Sequence, residues 1–178
     1  MSILKVARMG HPVLRAKARP FDRAEIKAPV TQKLIDDMIE TMLEYHGVGL
    51  AAPQVHEGLR VFVASLETND DGDPESEPMA VINPEISIVG SEMVEDWEGC
   101  LSIPDIRGRV PRNRRVRVRG FDRDGQPIDM ELDEFPARVV QHENDHLNGV
   151  LMIDKLSALK KRMMSKKVEK AKAEEARA

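Results

Sequence analysis

The 178-residue chain has one cysteine, one tryptophan and one tyrosine, and four phenylalanines complete its aromatics. A lone cysteine, Cys100, excludes an internal disulfide. It leaves a thiol free to act as ligand or nucleophile, which fits a reducing cytosol. With so few aromatics, Leu, Ile, Val and Met must fill the interior. No apolar run approaches the roughly 20 residues of a membrane span. The opening residues Met1-Ser2-Ile3-Leu4-Lys5 lack the apolar core of a secretory signal. A cytoplasmic protein without a membrane partner is expected. The formal charge of −4 argues against a surface that binds DNA non-specifically.

What is present is 41% hydrophobic and 33% charged, the composition of an ordinary globule. The length suits one domain spanning 1–178. Its charge is uneven: residues 157–178 hold eight Lys or Arg against three Glu, and the rest of the chain is strongly acidic. This basic stretch reads as a helical tail with its own role.

Apolar residues at helical spacing predict a helix from Pro29 to Tyr45, stopped by Gly47. Leu59 to Leu66 reads as a strand, and the acidic stretch Glu67 to Pro78 as a mobile surface loop. Met79–Ile82 and Ile86–Val89 read as two short strands divided by Asn83-Pro84. Arg115–Phe121 alternates arginine with apolar residues, and Asp122-Arg123-Asp124-Gly125 turns it into a partner at Gln126–Leu132. The next helix starts at Asp133 or Glu134 and stops at Gly149. Ser157 can cap a last helix. The sum is an α+β fold: short, mainly antiparallel strands around a central helix, with one helix before it and one after.

That central helix carries His142-Glu143-Asn144-Asp145-His146, an H-E-x-x-H pattern. Residues four apart share a helix face, so both imidazoles can point at one ion. Glu143 is placed to move a proton on water held by that ion, which suggests metal-assisted hydrolysis of a carbonyl compound. A catalytic metal commonly takes three protein ligands and leaves one position for water. Cys100, in Glu98-Gly99-Cys100-Leu101-Ser102, is the leading third candidate; the alternative is a small buried hydrophobe. Phe135, Val139 and His142 share a face of the same helix, so the first two are either pocket wall or core.

Three stretches, Gly47-Val48-Gly49-Leu50-Ala51-Ala52-Pro53-Gln54, Glu98-Gly99-Cys100-Leu101-Ser102 and Gln141-His142-Glu143-Asn144-Asp145-His146-Leu147, resemble the three signature motifs of peptide deformylases, in the same order. The resemblance covers nearly the whole chain. It implies a hydrolase that removes the formyl group from N-terminal formyl-methionine of new polypeptides. It implies Cys100, His142 and His146 as ligands to one ion, Fe(II), with Zn, Ni or Co able to substitute. It implies Glu143 as general acid and base, and the Gln54 side chain with the Leu101 backbone N–H as holders of the formyl oxygen.

A Met side chain then needs an apolar pocket, for which Phe135, Val139 and Val48 are candidates. Gly47-Val48-Gly49 reads as an extended edge along which a peptide pairs, and Arg107 as a contact to its later carbonyls. Trp97 is expected to pack on the body rather than cover the pocket rim. Glu98 is either a partner of a basic group or a solvated acid. The arginine run from 107 to 119 reads as a solvated strand face. The resemblance also implies that the basic C-terminal helix docks on the ribosome; a solubilising tail is the alternative. Two rival readings remain. One is a small zinc endopeptidase with Glu169 as third ligand. The other is a non-catalytic ribosome-binding module with a closed structural metal site.

Overall fold

A computed structural model describes residues 2–177. A short helix, α1 (Arg23–Ile26), precedes α2 (Pro29–Glu44). Then come β1 (Gly49–Ala51), β2 (Val61–Ala64), β3 (Met79–Ile88), β4 (Met93–Cys100), β5 (Ile103–Asn113), β6 (Arg115–Phe121), β7 (Pro127–Asp133), α3 (Glu134–Leu147) and α4 (Ala158–Arg177). Five strands form one sheet in the order β1-β2-β3-β6-β7, and β4 with β5 forms a separate ribbon. Every strand pair is antiparallel.

Strand β2 explains how two helices share this sheet. Successive side chains point to opposite faces. Val61 and Val63 pack with Ile35, Met38 and Met42 of α2. Phe62 and Ala64 pack with Ala137, Val139 and Val140 of α3. All four β2 residues are buried, so β2 reads as a continuous apolar run. A third cluster joins Ile103 and Val110 of β5 to Leu151, Met152, Ile153 and to Met164 and Val168 of α4.

Helix α3 ends as its sequence dictates. Gly149 has φ +74° and Val150 N–H bonds to the Asp145 carbonyl at 2.9 Å, a glycine-mediated stop. Ser157 Oγ accepts Lys160 N–H at the start of α4.

Two expectations need correction. The region 79–89 holds one strand, not two. Asn83 sits at φ +51° where the β3–β6 register slips, and its side chain bonds both backbone groups of Phe21. Asn83-Pro84 is therefore a bulge that bends a strand instead of breaking it. The β4–β5 ribbon was not foreseen, although it carries Cys100.

Asp154 ties α4 to the body. It accepts from Arg15, from Leu151 N–H and from Lys161. Burial pushes its carboxyl up, but Arg15, Lys161 and the backbone bond outweigh this and hold it at about 2. A folded pKa below the unfolded one gives stability that is complete above about pH 4 and lost as pH falls through the folded value. Asp154→Asn is therefore expected to lower Tm near neutrality. The gap from the unaltered protein is expected to close in melts between pH 5 and 2; a constant gap would remove the ion-pair account.

Candidate metal centre and substrate cleft

The end of β4 and the C-terminal half of α3 converge. His142 Nε2 and His146 Nε2 lie 3.2 Å apart, and Cys100 Sγ lies 3.4 Å from His146 Nε2. All three donor atoms fall within 4.8 Å of one another. Atoms bonded at 2.0–2.3 Å to one tetrahedral ion stand about 3.3–3.6 Å apart, so the spacing fits a metal. Cys100 is thus a member of the cluster rather than only a small hydrophobe. No fourth His, Cys, Asp or Glu joins the group among the described residues, as a closed site of that kind would require. Glu169 is exposed on α4 and is not in it, which argues against the endopeptidase reading.

Electrostatics agree with a cation there. Burial pushes His142 down, but Cys100, Glu98 and Glu143 outweigh it and raise its proton affinity well above the ordinary value. Burial and the adjacent His142 charge press His146 well below its own. The cluster therefore stabilises one positive charge between a thiol and two rings, which a metal ion supplies without a proton.

Glu98 orients the first histidine. It is buried, and its Oε1 accepts from His142 Nδ1 at 2.8 Å. Arg112 grips both oxygens at 2.9 Å and also pairs with Asp145, while Arg138 donates to Oε2 at 2.6 Å. Burial raises the Glu98 carboxyl, yet Arg112 and His142 hold it well below the usual carboxylate range. Of the two readings of Glu98, the partnered one holds. The arginine run is not wholly solvated: Arg112 is buried, because acids from β4 and α3 meet it. His146 differs, since its Nδ1 is buried without a partner.

A cleft of about 880 Å³ opens onto this cluster. Cys100, Leu101, His142, Glu143 and Gln54 line it, as do Val48, Gly49, Arg107, Phe135 and Val139. His146 lies behind them, fully buried. Gln54 is also buried; its Oε1 accepts Ala51 N–H at 2.9 Å and its Nε2 donates to Ser102 Oγ at 3.1 Å. Burial pushes the Glu143 carboxyl up to about 7, with His142 opposing, and its Oε2 has no partner. Gly49 is required beside it, because a Cβ there would stand 2.7 Å from Glu143 Oε1.

Val139 serves both roles offered for it, packing in the sheet–helix core and facing the cleft. Phe135 is 40% exposed at the cleft. Trp97 corrects its expectation: it is 55% exposed and lines the cleft, because β4 belongs to a ribbon with little body to pack against. The tip of the acidic loop, Asp71 to Asp73, also lines the cleft, held by bonds from both backbone N–H groups to Asn69. Sequence reasoning missed Arg138, Ser102 and Asp145. Arg138 had a signal, since it lies four residues before His142 on one helix face.

Among the described residues, no helix is long and apolar enough to cross a membrane. The polypeptide deformylase family model matches residues 3–162. The chain is 44% identical to peptide deformylase 2 of Nostoc over 158 residues, covering 88% of this chain and 87% of that protein. It is 45% identical to the peptide deformylase of Chromohalobacter salexigens, covering 88% of each. A crystal structure of a peptide deformylase from Legionella pneumophila superposes with a TM-score of 0.86 at 37% identity, covering 99% of both chains. A Met-Ala-Ser-bound class I type b peptide deformylase from Acinetobacter baumannii gives 0.83 at 41% identity, covering 88% of this chain and all of that one. With a thiol and two imidazoles at ligand spacing on such a cleft, the chain belongs to the polypeptide deformylase family, metal-dependent hydrolases that remove the N-formyl group from new polypeptides.

Proposed function

We propose that Cys100, His142 and His146 hold one Fe(II) per chain, with Zn, Ni or Co able to replace it, and that Glu143 is the general acid and base. The observation that carries this is the three-donor cluster beside the buried, unpartnered carboxylate oxygen of Glu143. An ion held by these three residues would supply an acidified water and a Lewis acid for the formyl carbonyl. Glu143 then takes the water proton and passes it to the leaving amine. Burial raises the proton affinity of this carboxyl, which favours its taking the proton. The Gln54 amide and the Leu101 backbone N–H receive the negative charge that grows on the formyl oxygen. Phe135, Val139 and Val48 enclose the Met side chain, the Val48-Gly49 edge pairs with the peptide, and Arg107 meets its later carbonyls. A single metallohydrolase domain in a reducing cytoplasm accommodates all of these roles.

Formate release from formyl-Met peptides after anaerobic Fe(II) loading tests the reading. Cys100→Ala is expected to lose both metal and activity. The iron form is expected to decay in air, since a thiolate beside Fe(II) is oxidisable, and Ni or Zn to protect it. Air-stable iron activity, or full activity of Cys100→Ala, would contradict the assignment.

We propose further that α4 docks on the ribosome through its basic face. Lys161 and Lys172 are engaged internally, by Asp154 and the Met9 carbonyl. Lys166, Lys167 and Lys170 have no ion-pair partner among the described residues, which supports a contact with phosphate. Met164 and Val168 are buried, so reversing charges is a cleaner test than deleting the helix. Changing the three free lysines to glutamate is expected to reduce the log–log salt slope of ribosome binding by about 2 while sparing small-peptide turnover. An unchanged slope would remove the docking role.

A further inference from the structure

We infer that Arg138 is a positioning residue, which holds the ribbon bearing Cys100 and Trp97 at a set distance from the helix bearing His142 and His146. This rests on the ligand assignment proposed above. The metal cluster is assembled from two bodies. Two donors ride on α3 and the third ends β4, which belongs to a two-stranded ribbon outside the main sheet. Some contact must fix the gap between them, because a shift of an ångström at Sγ changes the bonding at the ion.

The guanidinium of Arg138 has the required reach. It is buried beside the cleft. Its NH2 donates to the Val94 carbonyl of β4 at 2.6 Å, and its NH1 donates to the Val110 carbonyl of β5 at 2.7 Å. NH1 also meets Glu98, two residues before Cys100 at the end of β4. Arg138 thus places one donor on a main-chain carbonyl of each strand of the ribbon. Other ties from α3 grip less of the ribbon. Gln141 bonds only Asn113 of β5, and Asp145 pairs only with Arg112 of β5. His142 and His146 reach only β4, at Glu98 and Cys100. Among the described residues, Arg138 is the one side chain of α3 bonded to both strands.

The planar fork matters as much as the charge. A lysine can neutralise Glu98 but cannot donate in two fixed directions to two strands. Arg138→Lys therefore separates a brace from a mere counter-charge.

The experiment uses the full chain loaded with Co(II), in three forms: unaltered, Arg138→Lys and Arg138→Met. Readouts are the thiolate-to-cobalt charge-transfer band, the visible d–d bands, the rate of cobalt loss to a chelator, and KM and kcat on a formyl-Met tripeptide. The unaltered protein is the check on the ligand assignment, which fails if it shows no thiolate band. Given that band, both variants are expected to shift the d–d bands, to lose cobalt at least tenfold faster and to raise KM more than they lower kcat. Arg138→Lys is expected to recover most of the Tm without recovering the spectrum. If Arg138→Met does not fold, Arg138→Lys alone decides. Unmoved spectra and cobalt loss in Arg138→Lys, whatever its Tm, would overturn the positioning role.

Discussion

Glu98→Ala is expected to cost about 3–5 kcal/mol of folding stability, the usual consequence of removing one partner from a buried ion pair. Two arginines, Arg112 and Arg138, converge on this carboxylate, and both are buried. Asp145 keeps a hold on Arg112 but lies out of Arg138's bonds. Without Glu98, one buried guanidinium is left with backbone carbonyls alone. For a chain of this size the loss is a drop of about 6–20 °C in Tm. Metal affinity is expected to fall as well, by about 10–100-fold, because His142 Nδ1 loses the acceptor that orients its ring. Thermal melts of the metal-free protein and competition with a chelator measure the two effects separately. A Tm within about 2 °C of the parent would show that the arginines find other partners, and the buried network would then be ornamental.

Glu143→Gln is expected to lower kcat by about 10²–10⁴-fold while the metal stays bound. The substitution keeps the shape of a side chain that packs against Gly49, so geometry is preserved and only the proton traffic stops. Metal content by elemental analysis, alongside single-turnover formate release, distinguishes this from loss of the ion. A kcat within threefold of the parent, with metal retained, would move the acid–base role elsewhere in the cleft.

The central helix and its two histidines were legible because helical periodicity is local: positions 142 and 146 share a face wherever the helix lies. Cys100 was legible as the only thiol, and the three-motif resemblance tied it to the helix. The α2 stripe and the β6–β7 hairpin followed from spacing and turn residues for the same local reason. What failed was whatever depends on distant partners. Arg112 looks like its neighbours in an arginine-rich stretch, and its burial is decided by Glu98, 14 residues away, and Asp145, 33 away. Trp97 was read as a packed residue because large aromatics usually find a core, whereas its strand lies in a ribbon at the cleft. The break at Asn83-Pro84 misled because a bulge and a turn use the same residues, and only pairing with β6 tells them apart.

The split of the donor set between position 100 and positions 142 and 146 bears on what an unfinished or clipped copy can do. A chain interrupted between Cys100 and α3 keeps one soft sulfur and neither ring. Such a piece lacks two of the three residues that can hold a metal ion. The full donor set is present only once the chain extends through α3.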